Sequence, residues 1–255
     1  MTDRLRVVWP DPAAFAARGG RPVRILAVSD EPDPSLDSPA TRDGIGPVDF
    51  VVGAGDLQPE YLLFVADAFH APLRYVHGNH DVGAAWGHAE RRHLPESMRD
   101  GVVVREGPIR LLGFSGSPRY NQRGMQVGAV GMWWKVLWAW LRSRGARPML
   151  VVTHAPPRDV NDDDDLAHRG FTSFRWLADR LRPPLWLHGH TALVRRGIDD
   201  RTDVHGDTLF YNCTGATLIE LVPPGTAPET RAGTARAAER GRATRGASRS
   251  GGDDA

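Results

Sequence analysis

The chain has 255 residues, enough for one domain of about 200 residues plus an appendage, and its 41% hydrophobic and 25% charged content is that of an ordinary globular protein. A formal net charge of +1 gives no sign of an acidic partner; only Lys135 of the 32 basic residues is a lysine, but arginine richness without a clustered excess of charge is no nucleic-acid footprint. The single cysteine, Cys213, excludes an intrachain disulfide, and no apolar stretch approaches the ~18 residues that span a bilayer.

Residues 1–22 read as an N-terminal extension, with charges and a proline but no long apolar core of a secretory leader, so a cytoplasmic location is expected. The domain proper is placed at residues 23–222. Short apolar runs recur along it, each ending in polar or glycine-rich residues. Residues 23–28 run into Ser29 and Asp30, and residues 49–52 into Gly53, Ala54, Gly55 and Asp56. Residues 59–69 then predict a helix, with Pro59 in the first turn and Leu62, Leu63, Val65, Ala66 and Phe69 largely apolar. Residues 73–76 run into His77, Gly78, Asn79, His80 and Asp81, followed by a segment, 83–100, long enough to cover a site.

Residues 131–141 carry Trp133, Trp134, Trp138 and Trp140, the spacing of a helix packed on the core with one aromatic face left for a partner. Residues 149–152 run into Thr153 and His154; the acidic stretch 162–165 after them reads as a solvated loop. Residues 172–181 predict an amphipathic helix with Phe174, Leu177, Ala178 and Leu181 on one side. Residues 185–187 run into His188, Gly189 and His190. Cys213 closes the apolar run from Leu209, where a buried inert thiol is expected. From Pro223 the chain turns to Ala, Gly, Thr, Ser and Arg, and residues 223–255 read as a disordered tail.

Continuous apolar runs suit strands buried on both faces, and their alternation with helices argues for an α/β protein. In such sheets ligands bind beyond the carboxyl ends of strands, where Asp30, Asp56, Asn79, His154 and His190 all sit. Carboxylate, amide and imidazole together are what a divalent-metal centre for phosphate-ester hydrolysis needs. The ions relieve the repulsion between an anionic substrate and an anionic nucleophile.

Gly55 and Asp56, then Gly78, Asn79, His80 and Asp81, then Thr153 and His154, then Gly189 and His190 resemble, in order, the motifs of the calcineurin-like metallophosphoesterases. That resemblance implies a four-layer α-β-β-α sandwich, a small phosphomonoester or phosphodiester substrate, and two divalent ions, Mn²⁺ first, with Mg²⁺, Fe²⁺ or Zn²⁺ as alternatives. The absence of a long apolar span and of clustered basic charge leads us to expect no membrane and no stable nucleic-acid partner. Asp56 would bridge the ions, and Asn79, His154 and His190 would complete the second ion's shell. His80 would contact the leaving group with Asp81 orienting it. The resemblance breaks where the family has Asp-x-His and Gly-His-x-His. Here the residues are Asp30, Glu31, Pro32 and Gly189, His190, Thr191, Ala192. Both missing histidines belong to the first ion.

Three readings of that first site stay open on the sequence. Glu31 replaces a ligand beside Asp30, with His188 or His168 remoter candidates; one firmly held ion works with a weak or substrate-assisted second; or the site is dead and the chain is a protein-interaction module, as a retromer subunit of the superfamily is. The sequences around Ser29–Pro34, Gly116–Asn121, Thr153–Pro157 and His168–Phe171 also resemble a bacterial and archaeal branch of the superfamily in which Asp-Glu is typical of the first motif. Arg119 and Arg169 are the candidate phosphate clamps, since a guanidinium pairs donors with phosphoryl oxygens.

Overall fold

The central strands are built from continuous apolar runs because both faces of each sheet are covered. The computed structural model describes residues 2–87, 93–121, 123–191 and 201–226. In chain order these form β1 (Asp3–Val8), α1 (Ala13–Ala16), β2 (Val23–Ser29), α2 (Pro39–Ile45), β3 (Phe50–Gly53), α3 (Pro59–Ala68) and β4 (Leu73–Tyr75). There follow β5 (Val103–Glu106), β6 (Ile109–Phe114), β7 (Ser117–Pro118), β8 (Gln126–Val127), α4 (Ala129–Ser143), β9 (Leu150–Thr153) and α5 (Thr172–Leu181). The last are β10 (Leu185–His188), β11 (Thr202–His205), β12 (Thr208–Asn212) and β13 (Gly215–Val222).

Among the described residues the strands make a five-stranded sheet, β1-β13-β2-β3-β4, and a six-stranded sheet, β11-β12-β10-β9-β6-β5, with β7 and β8 paired apart. The middle of each is parallel: β2, β3 and β4 in one, β6, β9, β10 and β12 in the other. Period-two alternation sorts each strand's side chains between two cores. Ile25, Ala27, Phe50 and Val52 face Leu150, Val152, Leu185 and Leu187 between the sheets. Leu26, Val28 and Val51 pack outward on Ile45 of α2 and on Leu62 and Val65 of α3. Val151 and Trp186 pack the other way, on Met132, Val136 and Ala139 of α4 and on Phe174, Leu177 and Leu181 of α5. The result is the expected α-β-β-α sandwich, and both expected flanking helices form at α3 and α5.

In α4 the buried Met132, Val136 and Ala139 follow the helical repeat, while Trp134 and Trp138 lie on the far side, 58% and 52% exposed. Trp133 and Trp140 meet Trp176 of α5 edge-on, at 5.7 and 5.5 Å between ring centroids. The segment 83–100 packs inward where it is described, with Trp86 and Leu94 in the outer core beside α3. The expected tail lies, from residue 227 on, outside the described residues. No helix among the described residues is long and apolar enough to cross a membrane.

The N-terminal boundary needs correction. The residues set apart as an extension include β1, which pairs in parallel with β13 over all six of its positions, from Asp3 opposite Thr217 to Val8 opposite Val222. Val7, Trp9, Ala14 and Phe15 are buried in the core between the sheets. The alternation of Leu5 and Val7 with Arg4 and Arg6 is the signature of an edge strand, too short to outweigh the charges around it. Trp9→Ala should cost about 3–5 kcal/mol, since it empties a fully buried aromatic site. At 2–4 °C per kcal/mol for a domain of this size, the melting temperature should fall by roughly 10 °C. An unchanged melting curve would return these residues to the status of an appendage.

Candidate metal centre

Four strand ends and the turns after them converge on one point. Asp56 follows β3, His154 follows β9 and His190 follows β10, while Asn79 lies in the turn after β4. His154 Nε2 lies 3.0 Å from Asn79 Oδ1, 3.2 Å from Asp56 Oδ2 and 3.1 Å from His190 Nδ1. An ion with six ligands at about 2.1 Å has neighbouring ligands about 3.0 Å apart, so these separations are those of donors arranged around a common cation. Asp56, His154 and His190 form one of two groups of three such donors among the described residues.

Each donor is aimed by a second contact. His154 Nδ1 faces the Ala54 carbonyl at 2.9 Å and His190 Nε2 faces the Ala167 carbonyl at 2.7 Å, which leaves Nε2 of the one and Nδ1 of the other turned inward. The Asn79 amide nitrogen donates to Tyr120 Oη at 3.3 Å, turning its oxygen to the centre. Asp56 Oδ1 accepts the His80 amide at 2.7 Å. Asp30, Asp56 and His190 all have left-handed backbones, with φ of 59°, 56° and 70°. Such turns are strained for residues with a side chain and collect at functional sites. Two of the glycines between them permit close approach. A Cβ on Gly78 would overlap the Asp56 carboxylate and amide nitrogen, and one on Gly189 the carboxylate of Asp30.

The electrostatics are those of a pocket built for a cation. Burial works against charge on His154, but the Asp56 charge and hydrogen bond, with Asp30 behind, push its pKa up to about 9. Burial would raise Asp56; the neighbouring His154 charge and hydrogen bond, and the His80 amide, hold it below the usual carboxylate range instead. Burial first and the His154 charge second hold His190 down at about 3, so its imidazole stays neutral. Asp56 thus favours a proton on His154, and an ion binding to the same donors would compete with it.

The remaining expected residues are distributed around this centre rather than in it. Asp30 lies beside it, raised by burial, with its carboxylate on the His190 amide. Glu31 is exposed. His80 is exposed, its backbone amide on Asp56 Oδ1. Asp81 is buried behind the turn, where Oδ2 accepts the amides of Asp56 at 3.0 Å and Gly78 at 2.7 Å; burial raises its pKa to about 6. It braces the metal turns, and its imidazole neighbour is His77 at 4.0 Å. The expectation that it orients His80 is thus corrected: a carboxylate pointing into the turn finds backbone donors first. Arg119 is exposed next to Tyr120, and Arg169 is exposed with a hydrogen bond to the Asp164 carbonyl. His188 is buried with Nδ1 by the Gly189 carbonyl, and His168 lies in a separate group with Asp163 and Asp165, its ring 5.4 Å from that of His190. Asp162 is no solvated group: it accepts from Gly170 N and pairs with Arg158 at 2.8 Å. Position 192 is outside the described residues. Cys213 is buried, its thiol pushed up to about 12 by burial.

Metal binding to this assembled set should stabilise the fold. At an Mn²⁺ concentration a hundred times Kd the gain is about 2.7 kcal/mol, or a rise in melting temperature of roughly 5–10 °C that EDTA reverses. Gly78→Ala should abolish that rise by displacing Asp56. A variant that kept the full shift would show that the ion binds elsewhere.

A family model described as calcineurin-like phosphoesterase matches residues 25–193. Among solved structures, that of the Thermus thermophilus protein TT1561 is 16% identical, with a TM-score of 0.50 and 76% of this chain and 90% of that chain covered. The structure of vacuolar protein sorting 29 from Cryptosporidium parvum is 15% identical, with a TM-score of 0.42 and coverages of 80% and 87%. At such identity the first of these likenesses speaks to the fold alone. A search of curated proteins found no match. The family match takes in more than half of the chain and every strand end from Asp30 to His190, and the chain belongs to the calcineurin-like phosphoesterases.

Proposed function

We propose that this chain hydrolyses a small phosphomonoester or phosphodiester at a divalent ion held by Asp56, Asn79, His154 and His190. The observation that carries the reading is the convergence of one carboxylate, one amide and a second imidazole at 3.0–3.2 Å about His154 Nε2. Mixed oxygen and nitrogen donors with these separations suit Mn²⁺, with Fe²⁺, Mg²⁺ or Zn²⁺ as alternatives. Such an ion supplies Lewis acidity, lowering the pKa of water and neutralising phosphoryl charge.

The chain's own groups do the rest. The His80 backbone is fixed on Asp56 Oδ1, and its exposed ring is free to protonate a leaving oxygen. Asp81 keeps the Asp56 and Gly78 amides in place, so it positions the centre without touching substrate. Arg119 and Arg169 are exposed and adjoin Tyr120 and His168 in sequence, and their guanidinium groups are the candidate donors to phosphoryl oxygens. A second reading, a protein-interaction module, has the exposed pair Trp134 and Trp138 in its favour. A scaffold has no need of four aimed donors, which favours the enzyme.

The purified chain should hydrolyse p-nitrophenyl phosphate or bis(p-nitrophenyl) phosphate with added Mn²⁺. His80→Ala should lower kcat by about 10²–10⁴-fold with Mn²⁺ affinity retained, and Asp56→Asn should fall to background. Undiminished turnover in Asp56→Asn at saturating Mn²⁺ would remove this centre from the reaction. A chain that binds no metal and cleaves neither ester would leave the interaction module standing.

A further inference from the structure

The family pattern implies a first ion between Asp30 and the shared Asp56, and the surroundings of Asp30 do not fit one. Its Oδ2 lies 2.5 Å from Ser29 Oγ, 3.3 Å from Thr214 Oγ1 and 3.0 Å from the His190 amide nitrogen, and its Oδ1 lies 3.0 Å from that same nitrogen. An ionised carboxyl offers about four lone-pair positions, and three donors now converge on these. The other oxygen of Asp56, Oδ1, takes the His80 amide. Among the described residues that follow Asp30 none stands in for the missing histidine: Glu31 is exposed, Pro32 has no side-chain ligand atom, and Asp33 caps the following turn through Ser35 N at 2.9 Å. Among the described residues, no group of three histidine, cysteine or carboxylate donors includes Asp30.

What Asp30 does hold is the His190 turn. His190 has a left-handed backbone, and Gly189 before it lies so close under Asp30 that a side chain there would strike the carboxylate. With its amide on Asp30 and its Nε2 on the Ala167 carbonyl, His190 is fixed at two points, and its Nδ1 can only face His154. We propose that this chain works with one ion rather than the family's two, and that Asp30 has become a positioning residue that braces the His190 turn through its backbone amide. This rests on the reading of Asp56, Asn79, His154 and His190 as the metal centre.

The test is metal counting on the full-length chain, with Mn²⁺ titrated by electron paramagnetic resonance and the bound metal measured after desalting. One Mn²⁺ per chain with an uncoupled six-line signal is expected. Asp30→Asn keeps an oxygen for the His190 amide and should still bind one ion with comparable affinity. Asp30→Ala should also bind one, but about 10–100-fold more weakly, as loss of a group that orients a ligand does. If Asp30→Ala fails to fold, the wild type and Asp30→Asn still decide. Two ions per chain with a spin-coupled signal, falling to one in Asp30→Asn, would overturn the proposal and leave the phosphoesterase reading intact. So would a single ion lost in Asp30→Asn, which would make Asp30 a ligand. A wild-type chain that binds no Mn²⁺ would take the parent reading down as well.

Discussion

The His154 ring stands where the two sheets meet, and the site is organised around it. It follows β9 of one sheet, and its Nδ1 faces the carbonyl of Ala54, just past β3 of the other, 2.9 Å away. Its Nε2 faces a carboxylate, an amide oxygen and a second imidazole that stacks edge-on at 4.8 Å between centroids. The ring is fully buried, so its polar atoms must be satisfied inside the protein. Asp56 cannot stay ionised in such a place without a positive partner, and a proton on His154 or a divalent ion can each fill that role. The donors are already assembled around this ring.

Holding polar groups there is a task for the backbone as much as for side chains. The parallel strands are rigid because their side chains are shared between an inner core and an outer one. At the ends of β2, β3 and β10 the chain turns sharply, and Asp30, Asp56 and His190 take left-handed conformations of order 1–3 kcal/mol each above relaxed ones. Strain of that size persists only where surrounding contacts over-determine it. Those contacts are visible: the Asp56 amide is held by Asp81, the His190 amide by Asp30, and the Asp30 amide by the Gly55 carbonyl at 3.0 Å. Each strained turn is thus tied by a hydrogen bond to a neighbouring turn.

Much of this was legible in the residues because the signals were local. Apolar runs ending in Gly-Asp or Gly-His mark strands whose ends carry chemistry, and α3 and α5 follow from periodicity alone. The edge strand β1 was missed since Arg4 and Arg6 alternate with Leu5 and Val7 over too few positions to distinguish a strand from a charged extension. The partners of the donors were hidden for a different reason. Thr214 reaches Asp30 across 184 positions and Tyr120 reaches Asn79 across 41, and nothing in either sequence neighbourhood marks the distant contact. Asp81 was assigned to His80 by adjacency, whereas the turn after β4 directs it to backbone amides that only the folded chain presents.

Position 30 shows why residue identity at a strand end does not settle chemistry. The carboxyl of Asp30 is part-buried, so its charge needs compensation, and desolvation accordingly raises its pKa. In the family pattern an ion and a histidine two residues on would provide the compensation; here Pro32 stands at that histidine's place. Two hydroxyls, from Ser29 and Thr214, and one backbone amide, from His190, lie within hydrogen-bond reach instead. Neutral donors of this kind are individually weaker than a divalent cation, but three of them converge on this one carboxyl. The same side chain that marks a metal ligand by its motif is, by its neighbours, a hydrogen-bond acceptor for the turn that carries one.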